Sequence, residues 1–99
     1  MAEMKEFELL NDATNAVVVR HPERNFPGLL IQGDTLKTLL DDIDELREEA
    51  FAGDLESVKE ISIILQDKFT ELLTHYEKVL TEHGLEHPYV GSVRSSFKG

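Results

Sequence analysis

The longest hydrophobic pattern in the chain runs from Asp54 to about His83. At 100° per residue, Val58, Ile61, Leu65, Phe69, Leu72, Tyr76 and Val79 fall within about 60° of one line. Leu55, Leu73 and Leu80 broaden that line into the wide stripe of a core-facing helix. Asp54 is placed to cap its first turn. Gly84 stands where a left-handed residue closes a helix, with Leu85 next to touch Leu80. About 30 residues at 1.5 Å each give roughly 45 Å. A compact domain of this size has a radius of gyration near 13 Å. Such a helix either bends or rests its far end on something else, and a second copy of the chain is the cheapest candidate.

A second helical pattern precedes it. Leu36, Leu39, Leu40, Ile43, Leu46, Ala50 and Phe51 keep helical spacing to about Ala52, and Asp34 or Thr35 is available as N-cap. Gly53 ends this helix and Asp54 begins the next at once. One helix running through Gly53 would cost about 1 kcal/mol for the glycine and waste both caps. A short joint instead makes an antiparallel hairpin over about 35–52 and 54–83. Upstream the period changes. Ala16-Val17-Val18-Val19-Arg20 is the clearest strand, because consecutive β-branched residues suit a pleated surface. Glu6–Leu10 and Leu29–Gln32 read as its neighbours. Asn11 to Asn15 is turn chemistry, and Pro27-Gly28 suits the centre of a type II turn. The expected fold is α+β: a three-stranded antiparallel meander (about 6–10, 16–20, 29–32) packed on the helical hairpin. Residues 1–99 form one domain, with 92–99 a loosely held tail.

Charge adds an asymmetry. The chain has 99 residues and a net charge of −10. From Asp34 to Glu86 there are 15 acidic and 5 basic residues; elsewhere there are 5 of each. The helices therefore carry the whole excess. Asp41, Asp44, Glu45, Glu48 and Glu49 form like-charge neighbours one turn apart, each pair costing a few tenths of a kcal/mol. They read either as a solvated face or as a docking surface for a basic partner. The same charge argues against nucleic acid and against anionic membranes. There is no cysteine, hence no disulfide and no thiolate chemistry. No signal-peptide pattern and no membrane-length apolar run occur, so the cytoplasm is the expected compartment.

Candidate chemistry is sparse. Arg20, His21, Arg24 and Asn25 gather in one strand-end loop. With Gln32 and the free N–H groups at the start of the next helix, they could hold a small anion. The arginines could equally pair with the acidic helical layer. Phe26 is expected to anchor the loop on the core. Ile63 and Ile64 lie about 140° and 120° off the apolar stripe and could form a two-fold dimer interface. Arg47 falls inside the stripe of the first helix, either snorkelling to water or pairing with an acid of the second. His75, His83 and His87 lack metal-ligand spacing and read as surface histidines. No metal or cofactor is expected. No nucleophile motif or phosphate loop occurs, and the reading leans away from an enzyme without deciding the matter.

Asn15-Ala16-Val17-Val18-Val19-Arg20-His21-Pro22-Glu23-Arg24-Asn25-Phe26-Pro27-Gly28, followed by Gln32-Gly33-Asp34-Thr35-Leu36, resembles a group of short, uncharacterised bacterial proteins with a domain of unknown function. Their pattern is a valine-rich strand ending in Arg, then Pro-x-Arg-x-Phe-Pro-Gly, then Gln-Gly-Asp-Ser/Thr-Leu. Arg20, Arg24, Phe26, Gly28, Gln32 and Asp34 match it. The resemblance implies a bacterial origin and little else, since the group carries no assigned activity. Taken with the charge, the expectation is a small protein-binding or regulatory module, antitoxin- or immunity-like, docking a basic partner. A binder of a small anion at the Arg20–Gly28 loop is the alternative.

Overall fold

Strand β2, Ala16–Arg20, lies at the centre of the sheet, as its run of valines requires. In the computed structural model, which describes residues 4–11 and 16–91, it pairs antiparallel with β1 (Glu8–Leu9) and with β3 (Gly28–Ile31). The register sets Leu9 opposite Val19, Val17 opposite Leu30 and Val18 opposite Leu29. Two helices follow, α1 over Gly33–Ala52 and α2 over Leu55–Glu82. The fold is α+β, a three-stranded meander with an antiparallel helical hairpin. The tail from 92 and the turn at 12–15 lie outside the described residues.

The helix ends obey local capping chemistry. Gly53 is left-handed at φ 78°. Its N–H reaches the Ala50 carbonyl at 3.2 Å, and the N–H of Asp54 reaches Glu49 at 3.0 Å. Asp54 then caps α2, accepting from the Ser57 N–H at 3.2 Å and from the Ser57 hydroxyl at 2.9 Å. One residue thus closes one helix and opens the next. Gly84, at φ 70°, repeats the closure: Leu85 N–H donates to Leu80 at 2.8 Å, and Leu85 packs on the core there.

Three boundaries differ from expectation. β1 shrinks to two residues. α1 starts at Gly33 behind an extended Gln32, whose side chain makes no capping bond. The end of β3 sets that start; the Asp34 carboxylate merely accepts from the adjacent Thr35 N–H at 2.8 Å. Gly28 is not in a left-handed conformation, so the type II turn is not formed, and it opens β3 instead.

The length of α2 is used twice. At 1.5 Å per residue its 28 residues span about 42 Å. The molecule is elongated, with extents of 48 × 39 × 21 Å and a Cα radius of gyration of 16.5 Å. The first half of α2 meets α1, burying Leu39, Ile61 and Leu65 with Leu46 and Leu72 against them. The second half carries the sheet, burying Leu10, Val18, Tyr76, Val79 and Leu80. The hairpin therefore does not lie across the sheet as one layer; α2 alone supplies the sheet's main helical contact. Among the described residues no helix is long and apolar enough to cross a membrane.

Candidate functional site

The loop after β2 gathers fewer free groups than its sequence offers. Arg20 projects on the same sheet face as its cross-strand partner Glu8, and its Nε and Nη2 both reach Glu8 Oε1 at 2.7 Å. It pairs within the sheet, not with the helical layer. His21 accepts the Glu23 N–H on Nδ1 at 3.0 Å and stands edge-on to Phe7, with ring centres 4.9 Å apart. The Arg24 N–H closes a turn onto the His21 carbonyl at 3.0 Å. Its guanidinium is exposed and has no ion-pair partner among the described residues. Asn25 and Phe26 are exposed too. Phe26 is thus not the anchor of the loop. That role falls to buried Pro27, whose carbonyl accepts the Tyr76 hydroxyl at 2.6 Å. A proline carbonyl beside a strand start is a fixed acceptor, and the buried Tyr76 needs one.

Phe7, His21, Arg24, Asn25, Phe26 and Pro88 line an open cleft of about 700 Å³. Gln32 is not brought to it. The four residues of β3 separate them, about 13 Å of strand, and the N-terminus of α1 lies at that far end as well. One unpaired guanidinium at an open cleft can attract an anion; it cannot grip one from two sides.

The hairpin presents a larger surface. On α1, taking buried Leu39 as zero, Ile43, Leu36, Arg47, Leu40 and Phe51 lie at about 40–120° to one side. Asp44, Glu48 and Asp41 continue the same rotation at about 140–200°, with Glu45 beyond. The core contact to α2 uses only one edge of the apolar stripe. Leu36 is 61% exposed, Leu40 51% and Phe69 of α2 50%. With Ile43 they line an apolar groove of about 410 Å³ between the helices. The Arg47 guanidinium lies 5.4 Å above the ring of Phe51, which is 80% exposed. It neither snorkels alone nor pairs with α2. Asp41 pairs with Lys37, and this bond holds the Lys37 ammonium above its ordinary pKa. On the opposite flank Asp42 pairs across to Lys68, and Glu49 is half-buried. The acidic residues thus divide: Asp41, Asp44, Glu45 and Glu48 form an exposed ridge, and Glu49 is turned from it. Ile63 and Ile64 are exposed on other faces of α2 and do not line the groove.

The helical period concealed several polar contacts. His75 Nε2 lies 2.9 Å from the Ala16 carbonyl and 3.0 Å from the Asn11 amide. Asn11 in turn accepts the Val18 N–H. His83 Nε2 lies 2.7 Å from the Leu10 carbonyl. Both histidines tie α2 to the strands; His75 is half-buried there, whereas His83 keeps an exposed surface. The sequence signal was weak: His83 stands near the apolar line, one turn beyond Val79, but His75 lies about 100° from it. Glu77 is buried, and its carboxylate accepts the Tyr89 hydroxyl at 2.7 Å, with His87 3.9 Å away. Burial, and then that bond, push the Tyr89 phenol far above its ordinary pKa. Among the described residues no cluster of three or more acidic or histidine side chains could hold a metal ion.

A short antiparallel meander, an αα-hairpin and an open groove between its helices define a small α+β protein. The chain belongs to a family of unknown function, DUF6959, whose model matches residues 2–89. Neither curated proteins nor solved structures give a match to it.

Proposed function

We propose that this is a protein-binding module of the cytoplasm that docks a basic, amphipathic helix on its hairpin. The observation that carries this reading is the groove of Leu36, Leu40, Ile43 and Phe69, left open beside a ridge of carboxylates. Apolar side chains at i, i+4 and i+7 on α1 offer a seat for the apolar face of a partner helix. Asp41, Asp44, Glu45 and Glu48 then meet lysines or arginines at that helix's edge. Exposed apolar stripes of this kind are characteristic of contact surfaces rather than of isolated surface residues. Complementary charge adds speed of association and salt sensitivity more than depth of affinity.

A designed amphipathic peptide of leucines and lysines, of about 18 residues so as to make five turns, tests the reading. Binding should weaken as salt rises through the range that screens exposed charge. It should be lost in Leu40→Glu and reduced in Asp44→Lys/Glu48→Lys. Equal binding by wild type and Leu40→Glu would overturn the proposal.

The unpaired Arg24 guanidinium supports a second reading, a small carboxylate or phosphate ligand at the loop cleft. A thermal-shift series with citrate and phosphate, wild type against Arg24→Ala, decides it. Stabilisation confined to wild type supports it, and no difference ends it.

A further inference from the structure

The sheet has two faces, and among the described residues a helix covers only one. Val18, Leu10 and Leu29 turn toward α2 and pack on Tyr76, Val79 and Leu80. Side chains alternate along a strand, and directly paired residues share a face. Val17, Val19, Leu30 and Leu9 therefore form the opposite face. Every one is apolar, and no charged residue stands among them within the strands. Leu9 is 63% exposed and Leu30 55%. Phe7 and Phe26 extend the surface at the loop end. A strand that is apolar at every position, as Ala16–Val19 is, belongs to sheets covered on both sides; a solvated face alternates with polar residues.

We infer that this bare face is where two copies of the chain meet, sheet against sheet, about a two-fold axis. The choice of a second copy rests on charge. An isologous contact sets a surface against itself, so a charged surface repels its own image. The excess of −10 lies wholly between Asp34 and Glu86, whereas the remainder of the chain is balanced. The outer sheet face is thus the apolar surface that this acidic molecule can present to itself without opposing carboxylates. The carboxylate-edged groove cannot do so. Stacking through the sheets also carries the two acidic hairpins to opposite ends of the assembly, where their mutual repulsion is weakened by distance and further screened by salt. Sheets stacked this way sit about 10 Å apart. The face spans strands of five, four and two residues, smaller than the roughly 800 Å² per partner of a standard interface. The association should be reversible, in the micromolar range.

Sedimentation velocity of the full chain, from about 1 to about 300 μM to bracket such a Kd, gives the test. Wild type should pass from monomer to dimer across that range. Leu9→Lys/Leu30→Lys should raise Kd at least tenfold, and each single variant should raise it in part. Circular dichroism checks that the variants fold; both positions are exposed, so lysine stems can lie along the surface. Ile63→Lys should leave Kd unchanged. Raising salt should tighten the dimer, because it screens repulsion between the hairpins, whereas it loosens a basic helix on the groove. The two proposals can therefore fail separately. A wild type that stays monomeric throughout would overturn the inference. So would loss of the dimer in Ile63→Lys, which places the contact on α2. Weakening by Leu30→Lys with none by Leu9→Lys also overturns it, in favour of pairing along the free edge of β3.

Discussion

The two halves of α2 are held in different ways. Its C-terminal half joins the sheet through apolar packing and directional polar ties together. Leu80 and Val18 are fully buried there, Tyr76 holds the Pro27 carbonyl, and His75 and His83 reach the carbonyls of Ala16 and Leu10. Its N-terminal half joins α1 through three buried side chains and one ion pair at the flank, Asp42 with Lys68. The first region has directional contacts that fix one arrangement. The second has a narrow apolar seam beside a groove left open. Docking surfaces need yielding neighbours, and regions with few buried contacts open at lower free energy. The contrast teaches that the hairpin is the adaptable end and the sheet the fixed one.

The largest effect should come from the fixed end. Leu80→Ala should cost about 3 kcal/mol, since a fully buried leucine loses both its transfer term and its packing. Leu39→Ala, at the seam, should cost about 2 kcal/mol, because the open groove lets its neighbours relax. Urea midpoints measure both. A seam variant as costly as the core variant would erase the distinction. Amide exchange gives an independent reading, with slower exchange expected at residues 76–80 than at 58–62.

The joint between helices should matter next. Gly53 adopts φ 78°, and a Cβ there meets no atom within 4 Å. Gly53→Ala therefore pays only for the left-handed backbone, about 1–2 kcal/mol. Tyr76→Phe should cost about 1 kcal/mol by leaving the Pro27 carbonyl without its donor. Its effect should be local: faster amide exchange in β3, with α1 unchanged. If α1 loosens too, the halves are more tightly coupled than their contacts indicate.

What the sequence disclosed follows the same division. Local chemistry was legible. β2 matches the valine run to the residue, and Gly53, Asp54, Gly84 and Leu85 occupy the capping positions their types favour. Long-range placement was not. Periodicity marked Leu36, Leu40, Ile43, Phe51 and Phe69 as core-facing, yet all are exposed. A helical stripe records which residues avoid water, not how much of the stripe a neighbour covers. The loop showed the same limit. Arg20 looked available until the register placed Glu8 beside it, and Gln32 looked near until the four residues of β3 stood between it and the loop. The buried Glu77 had no signal at all, since its partner Tyr89 arrives only when the chain folds back after Gly84.

The smallest effect tests the joint through its charge. Hydrogen bonds from the Ser57 N–H, then from the Ser57 hydroxyl, hold the Asp54 carboxyl below its ordinary pKa of 3.8. A group more acidic in the folded chain stabilises it above the unfolded pKa, and that contribution fades as pH falls through the folded value. Many other carboxylates titrate in the same range, so wild-type stability alone is uninformative. The difference between wild type and Asp54→Ala isolates the cap. That gap in urea midpoint should be constant from about pH 7 to about pH 5 and should narrow below about pH 3.8. It should not vanish, because a protonated carboxyl still accepts a weaker bond from the Ser57 N–H. Lys68→Met, which breaks the ion pair to Asp42 across the seam, should leave the narrowing intact. A gap that stays constant to pH 3 would mean that geometry, not charge, makes Asp54 the joint of the adaptable hairpin.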